Sequence, residues 1–124
     1  MSRVLVVEDS SASRTLTTFL LTSAGHDVIH AGNAEVALTL AHDARPDLVV
    51  MHIQLPGMDG LGATRLLKED ERTRTIPVIA VTPLATPDDE ARIRAAGCDG
   101  YLAKPFTYRE FLLIISAQLS VAQP

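Results

Sequence analysis

Polar side chains follow four of the apolar runs in this sequence, at the point where each run ends. Glu8 and Asp9 come directly after RVLVV, and His52 closes the run LVVMH. Thr82 follows PVIAV, and Lys104 follows YLA. Carboxylates are ligands of the kind that Mg2+ prefers, while imidazole, hydroxyl and ammonium groups exchange protons or bind anions. If the runs are neighbouring strands, these five residues form one chemical site.

Short apolar runs alternate with segments of helical character along the whole chain. The apolar runs span residues 3–7, 28–31, 48–52, 77–81 and 101–103. Asn33, Thr86 and Thr107 stand where the N-caps of intervening helices are expected. Five strands alternating with five helices predict an α/β fold with a doubly wound parallel sheet that is covered on both faces. In such a sheet functional groups gather at the carboxyl ends of the strands, which supports a single site there.

Two of the predicted helices carry informative apolar patterns. In the first, expected over residues 12–24, Leu16, Phe19 and Leu20 fall at helical spacing. The last contains FLLII at residues 111–115, and five consecutive apolar residues cannot all lie on one face of a helix. We therefore expect part of this apolar surface to be exposed or covered by a partner.

Composition limits the class of protein. The 124 residues fit one domain over residues 1–124, and 47% hydrophobic with 21% charged residues is ordinary for a soluble globular protein. No apolar run approaches the roughly 20 residues that span a bilayer, and the sequence does not open on a leader pattern. A net charge of −4 and the absence of Trp argue against a nucleic-acid surface. The lone Cys98 cannot form an internal disulfide, which favours the cytoplasm.

Taken together, the motifs resemble those of response-regulator receiver domains from two-component signalling. VLVVED, PDLVVM, QLPGMDG, PVIAVT and AAGCDGYLAKP occur in the order of that family and cover essentially the whole chain. The resemblance implies a flavodoxin-like sheet with strand order 2-1-3-4-5. It also implies a role in phosphorelay signal transduction, with a histidine kinase or another signalling protein as partner.

Five residues match the site of the family position by position. In receivers the acidic pair after the first strand binds Mg2+, which corresponds here to Glu8 and Asp9. The backbone carbonyl at the position of Gln54 completes the protein ligands. Thr82 corresponds to the residue that hydrogen-bonds the phosphoryl group, and Lys104 to the one that pairs with its oxygens. The proline after this lysine is commonly preceded by a cis bond in the family.

Two positions depart from the family pattern. The phosphoacceptor of a receiver is an aspartate, and this chain has His52 there. An imidazole cannot form an acyl phosphate, and it is a poor ligand for Mg2+. The residue after the conserved threonine donates its backbone N–H to the phosphoryl group in the family, but here it is Pro83, which has no N–H. We therefore interpret the chain as a pseudo-receiver without expected catalysis, and with weak Mg2+ binding at most.

Several other roles for His52 stay open. It can be a structural residue, with Glu8 and Asp9 pairing with Lys104 instead. With the two acids it can form a transition-metal site. It can be a pH switch, since the acids would raise its pKa and Lys104 would oppose them. His52 or a neighbouring acid can still accept phosphate, or the histidine can be a deliberate Asp-to-His replacement that silences a normal receiver.

The resemblance also indicates which residues change or contact a partner. In receivers an aromatic residue in the fifth strand swings inward on activation together with the conserved threonine, which corresponds to Tyr101 and Thr82. The face formed by the fourth helix, fifth strand and fifth helix commonly contacts a partner or a second copy. For this face the predicted surface residues are Phe111, Leu112 and Ile115. The expected function is therefore signalling through protein–protein contacts, by a protein that is not an enzyme.

Overall fold

The computed structural model describes the backbone of residues 2–83 and 86–122, and the side chains as far as residue 120. Strands and helices alternate along the chain, as the sequence predicts. The strands are β1 (Arg3–Val7), β2 (Asp27–Ala31), β3 (Leu48–His52), β4 (Val78–Thr82) and β5 (Gly100–Ala103). The helices are α1 (Ser11–Ser23), α2 (Ala34–Ala44), α3 (Gly60–Glu69), α4 (Pro87–Ala95) and α5 (Tyr108–Ala122).

All five strands pair in parallel in the order β2-β1-β3-β4-β5, which confirms the predicted doubly wound sheet. The chain reverses its direction of winding between β1 and β3, so the two strands are neighbours although β2 separates them in the sequence. This is the position at which the carboxyl ends of parallel strands open a crevice for functional groups. The first residues in that crevice are those that follow β1 and those that end β3.

Alternating residues of the strands build two apolar layers, one on each face of the sheet. Leu5 and Val7 face a cluster that includes small residues of α2 and α3. Val4 and Val6 face a second cluster with Leu21 of α1 and apolar residues of α5. Burial on both faces explains why the strands read as continuous apolar runs rather than as alternating ones.

Side-chain caps fix where the helices begin. The Asn33 side chain accepts a hydrogen bond from the N–H of Val36 at 2.9 Å, and Thr86 forms a capping box with Asp89. Thr107 and Glu110 cap the start of α5 reciprocally, at 3.0 Å in both directions. These three predicted caps are confirmed, and each satisfies N–H groups that the helix cannot satisfy internally.

The loop QLPGMDG returns tightly against the end of β3. The N–H of Gly60 donates to the Ile53 carbonyl at 2.9 Å, and Asp59 caps α3 by accepting from Gly62 at 2.8 Å. A Cβ atom at Gly60 would collide with the His52 carbonyl oxygen, so glycine is required at this close approach. The loop thus holds the carboxyl end of β3 in place.

Among the helices of the described residues, none combines the length and the continuous apolarity that crossing a lipid bilayer requires.

Candidate functional site

The carboxyl edge of the sheet gathers the residues that the sequence predicts to form one site. Glu8 and Asp9 directly follow β1, and His52 and Thr82 are the last residues of β3 and β4. Lys104 directly follows β5, and its backbone N–H donates to the Thr82 carbonyl at 2.8 Å. The parallel register therefore brings the five positions together. Their side chains, however, do not all meet.

The closest contact in the site joins His52 to Glu8. The His52 Nδ1 atom lies 2.6 Å from Glu8 Oε2, and the two residues are 7% and 4% exposed. This N···O distance brings the two buried side chains into direct polar contact. The histidine that stands at the phosphoacceptor position therefore binds the first acid of the acidic pair.

Burial determines the protonation of this pair. The pKa of His52 falls from 6.5 to about 4, chiefly because burial disfavours the charged ring and also because of the positive Lys104, while Asp9 opposes the shift. Burial likewise raises the pKa of Glu8, against the attraction of Lys104. At neutral pH the His52 imidazole is therefore neutral, and its Nδ1 atom lies against the Glu8 carboxyl group. Asp9 acts in the expected direction and Lys104 opposes it as expected, but desolvation outweighs the acid and the net shift of the His52 pKa is downward.

The low pKa of His52 predicts that acid destabilises the fold. The unfolded chain takes up a proton on this ring as the pH falls through 6.5, whereas the folded ring stays neutral until about 4. The contribution is thus fully present above pH 6.5 and is lost as the pH falls towards 4. Glu8, whose folded pKa is raised, contributes with the opposite sign.

Urea unfolding of the wild type and of His52→Asn at several pH values measures this term. From pH 6.5 to 4 the wild type should lose on the order of 2 kcal/mol more than the variant. The comparison with the variant cancels every pH-dependent contribution that the two proteins share. Parallel stability curves for the two proteins would contradict the assignment.

Two clefts open beside the pair, and they divide the predicted site residues between them. The α4-side cleft has a volume of about 590 Å3 and is lined by residues that include Asp9, Gln54, Asp59, Thr82, Asp89 and Arg92. The α1-side cleft has a volume of about 520 Å3 and is lined by Ser13, Leu16, Thr17, His52, Lys104, Pro105 and Phe106. The threonine and lysine that bind one phosphoryl group in the family thus line different clefts.

The residues present fit the Mg2+ site that the family implies only in part. Asp9 and the Gln54 segment line the α4-side cleft, but the Glu8 carboxylate is bonded to His52. Within residues 2–83 and 86–122, no group of three or more His, Cys, Asp or Glu residues is placed to hold a metal ion. This finding also weighs against the transition-metal site considered for Glu8, Asp9 and His52.

Of the remaining phosphoryl-site positions, Thr82 and Lys104 keep the residue type of the family and Pro83 does not. Thr82 is 5% exposed at the end of β4, and Pro83 after it is exposed and has no N–H to donate. The Lys104–Pro105 bond is cis, as the family resemblance implies. No carboxylate of the described residues lies within ion-pair distance of Lys104, so the pairing that was considered with Glu8 and Asp9 does not form.

Tyr101, the predicted switch residue, contacts residues of α4. Its half-buried ring packs beside Ile93, and its hydroxyl donates to Glu90, which raises the tyrosine pKa. Arg94 lies 6.0 Å from the ring centroid and also binds Glu90 at 3.0 Å. The ring therefore has a defined polar partner at the surface of α4.

The structure corrects the predicted partner surface on α5. Phe111 and Ile115 are 1% and 0% exposed and belong to the apolar layer against the sheet, so they cannot contact a partner. Leu112 is half-buried, and Leu113, which we did not predict, is 63% exposed. The expectation that FLLII exposes part of its apolar surface is confirmed, with different residues.

The sequence predicts helix α1 but not which of its residues face the sheet, and it gives no sign that Arg92 lines the α4-side cleft. Leu16 and Phe19 are 60% and 64% exposed, while Thr17 and Leu21 turn inward. Both sets fit helical spacing, so periodicity alone could not choose between them. Arg92 lines the α4-side cleft 3.6 Å from Asp89, and nothing in its local sequence distinguishes it from an ordinary exposed arginine.

Comparisons with known proteins agree with this fold. Residues 4–116 match the family model of the response regulator receiver domain. The polar-differentiation response regulator DivK of Brucella anthropi is 43% identical over 119 residues, which are 96% of this chain and 97% of that protein.

Two solved structures have the same fold as this chain. The receiver domain of a sensor histidine kinase from Pseudomonas aeruginosa has a magnesium ion coordinated in its active site cleft. It superposes with a TM-score of 0.89 at 33% identity, covering 96% of this chain and 98% of that one. A response regulator from Chloroflexus aurantiacus has a TM-score of 0.92 at 27% identity, with the same coverage of 96% and 98%. The chain therefore belongs to the response regulator receiver domains of two-component signalling.

Proposed function

We propose that this receiver domain signals through contacts with partner proteins, without phosphorylation of an aspartate at the acceptor position. The observation that carries the proposal is the 2.6 Å contact between His52 Nδ1 and Glu8 Oε2. It places an imidazole where the family has its acceptor carboxylate, and it engages a carboxylate that the family uses for Mg2+. One substitution thus removes both the acceptor and a metal ligand.

The chemistry at the site supports this proposal. A nitrogen nucleophile cannot make the acyl phosphate through which the family stores its signal. Phosphoryl transfer depends on positioning and on compensating the charge of the phosphoryl oxygens. Here Mg2+ is at best weakly held, and Pro83 offers no N–H. We infer a pseudo-receiver that occupies a place in a two-component pathway as a binding protein rather than as an enzyme.

The partners follow from this role. We expect a histidine kinase or another regulator as partner, in the cytoplasm, and a single functional domain over residues 1–124. The face formed by α4, β5 and α5 can also join two copies, and Leu113 offers exposed apolar surface on α5. The net charge of −4 supports neither nucleic acid nor an anionic membrane surface as partner.

Incubation with acetyl phosphate and Mg2+ tests the proposal. Intact-mass measurement at neutral pH is expected to show no added phosphoryl group on the wild type. A receiver domain with an aspartate at the acceptor position, treated in parallel, is the positive control. Stoichiometric addition of a phosphoryl group to the wild-type chain would overturn the phosphorylation-independent mechanism.

One observation favours a second candidate function, phosphorylation of His52 itself. Glu8 holds the proton on Nδ1, which leaves Nε2 of the neutral ring with a lone pair, and Lys104 lines the cleft that the ring reaches. In this reaction Nε2 attacks the phosphorus of acetyl phosphate, the P–O bond to the acyl group breaks, and acetate leaves with the electron pair. Glu8 offsets the positive charge that develops on the ring.

The chemical stability of any product distinguishes the candidates. A phosphohistidine survives alkali and hydrolyses in acid, whereas an acyl phosphate on a neighbouring acid such as Asp9 or Asp59 hydrolyses in alkali. Phosphohistidine that is lost in His52→Asn supports the second candidate. No added mass in either protein supports the first.

A further inference from the structure

The α1-side cleft is amphipathic, with one charged end and an apolar wall. Lys104 is its charged residue, and His52 also lines it. Leu16, Pro105 and Phe106 form the apolar part. No acidic side chain belongs to the lining described in this part of the chain. The cleft therefore combines a single positive charge with hydrocarbon surface.

The substitution at position 52 leaves the ammonium group of Lys104 without its carboxylate. Where the family resemblance places an aspartate near this lysine, the chain has the imidazole of His52. The buried Glu8 contacts His52 and senses the charge of Lys104 from a greater distance, and no described carboxylate lies within 4.0 Å of the Lys104 nitrogen. Lys104 is exposed, so an anion can reach it without opening the fold.

The apolar part of the cleft is equally accessible. Leu16 is 60% exposed, although it is a large hydrophobic residue on a helix that has a buried face. Phe106 is half-buried and stacks on Phe111 at a centroid distance of 5.7 Å, which holds its ring in place from below. The volume of about 520 Å3 lies in the range of pockets that bind small organic molecules.

We propose that the α1-side cleft binds a small organic anion, with its carboxylate or phosphate head on Lys104 and its apolar tail against Leu16 and Phe106. Thr17 lines the same cleft, and its hydroxyl group can donate to the head group, whereas the Ser13 hydroxyl is already hydrogen-bonded to Glu8. This inference goes beyond signalling by protein contacts, because it gives the degenerate site a ligand of its own.

Two-dimensional amide NMR with defined probes tests the proposal on the whole chain. Octanoate has both features, 1-octanol has the tail without the charge, and acetate has the charge without the tail. Octanoate should bind at least about tenfold more tightly than either control, with shifts centred on α1 and residues 104–106. Octyl phosphate, titrated in parallel, shows which head group is preferred. Equal affinity for octanoate and 1-octanol, or shifts centred elsewhere, would overturn the proposal.

Matched variants identify the residues that carry binding. Lys104→Gln should weaken octanoate binding about tenfold and leave 1-octanol unchanged, whereas Leu16→Ser should weaken both. Arg65→Gln, which removes one exposed positive charge on α3, is the control and should change neither. An equal loss in Lys104→Gln and Arg65→Gln would show a nonspecific charge effect and refute the site. No phosphodonor is present, so the result is independent of the phosphorylation assay.

Discussion

Replacing His52 with Asp is expected to raise the affinity for Mg2+ by about tenfold to a hundredfold. The variant supplies a third oxygen ligand and removes the imidazole that binds Glu8 at 2.6 Å. Both changes favour a hard divalent cation in a partly buried site. Isothermal titration calorimetry of the wild type and the variant, at equal ionic strength, measures the difference.

Two further variants separate the causes. His52→Asn removes the imidazole without adding a carboxylate, so its affinity should lie between those of the wild type and His52→Asp. Phosphorylation of His52→Asp by acetyl phosphate should be incomplete, because Pro83 still lacks the N–H, and Pro83→Ala in the same chain should increase it. Wild-type affinity for Mg2+ equal to that of His52→Asp would contradict a site closed by the Glu8–His52 bond.

Replacing Phe111 with Ala is expected to lower the free energy of unfolding by about 3–5 kcal/mol. The side chain is 1% exposed, stacks on Phe106, and lies in the apolar layer between α5 and the sheet. Truncation removes the buried ring and leaves a cavity that the surrounding strands cannot fill. Urea unfolding followed by circular dichroism measures the loss.

Leu113→Ala is the matched control on the same helix. Its side chain is 63% exposed, so we expect a change within about 0.5 kcal/mol in the monomer. If α5 contributes to a dimer or partner contact, the same variant weakens that association while leaving the fold intact. A large loss of stability for Leu113→Ala, or a small one for Phe111→Ala, would contradict the assigned faces of α5.

The sheet and the helix starts could be predicted because their causes are local. Continuous Val, Ile and Leu runs indicate strands that are buried on both faces, and Asn33, Thr86 and Thr107 cap helices through contacts three residues away. The gathering of site residues followed from topology, since parallel strands place their carboxyl ends at one edge.

The remaining features depend on packing that a sequence does not display. On α1, either Leu16 with Phe19 or Thr17 with Leu21 could form the buried face by helical spacing. In the structure Thr17 and Leu21 are buried and the other two are exposed. The direction of the His52 pKa shift required knowing that the ring is buried, since desolvation and the nearby acids act in opposite directions. The contact between Glu8 and His52 could not be predicted either, because the sequence allowed Glu8 to pair with Lys104 instead.

The protonation state of the His52 ring tests the account most directly. Nitrogen correlation spectra of the imidazole rings, recorded at pH 7 with and without Mg2+ and acetyl phosphate, report which nitrogen carries the proton. The His52 signal is identified by its absence from the spectrum of His52→Asn. We predict that this signal shows a neutral ring with its proton on Nδ1 and that neither addition changes it. A charged ring at pH 7, or a His52 signal that moves on addition of Mg2+, would contradict a site closed by the Glu8–His52 bond.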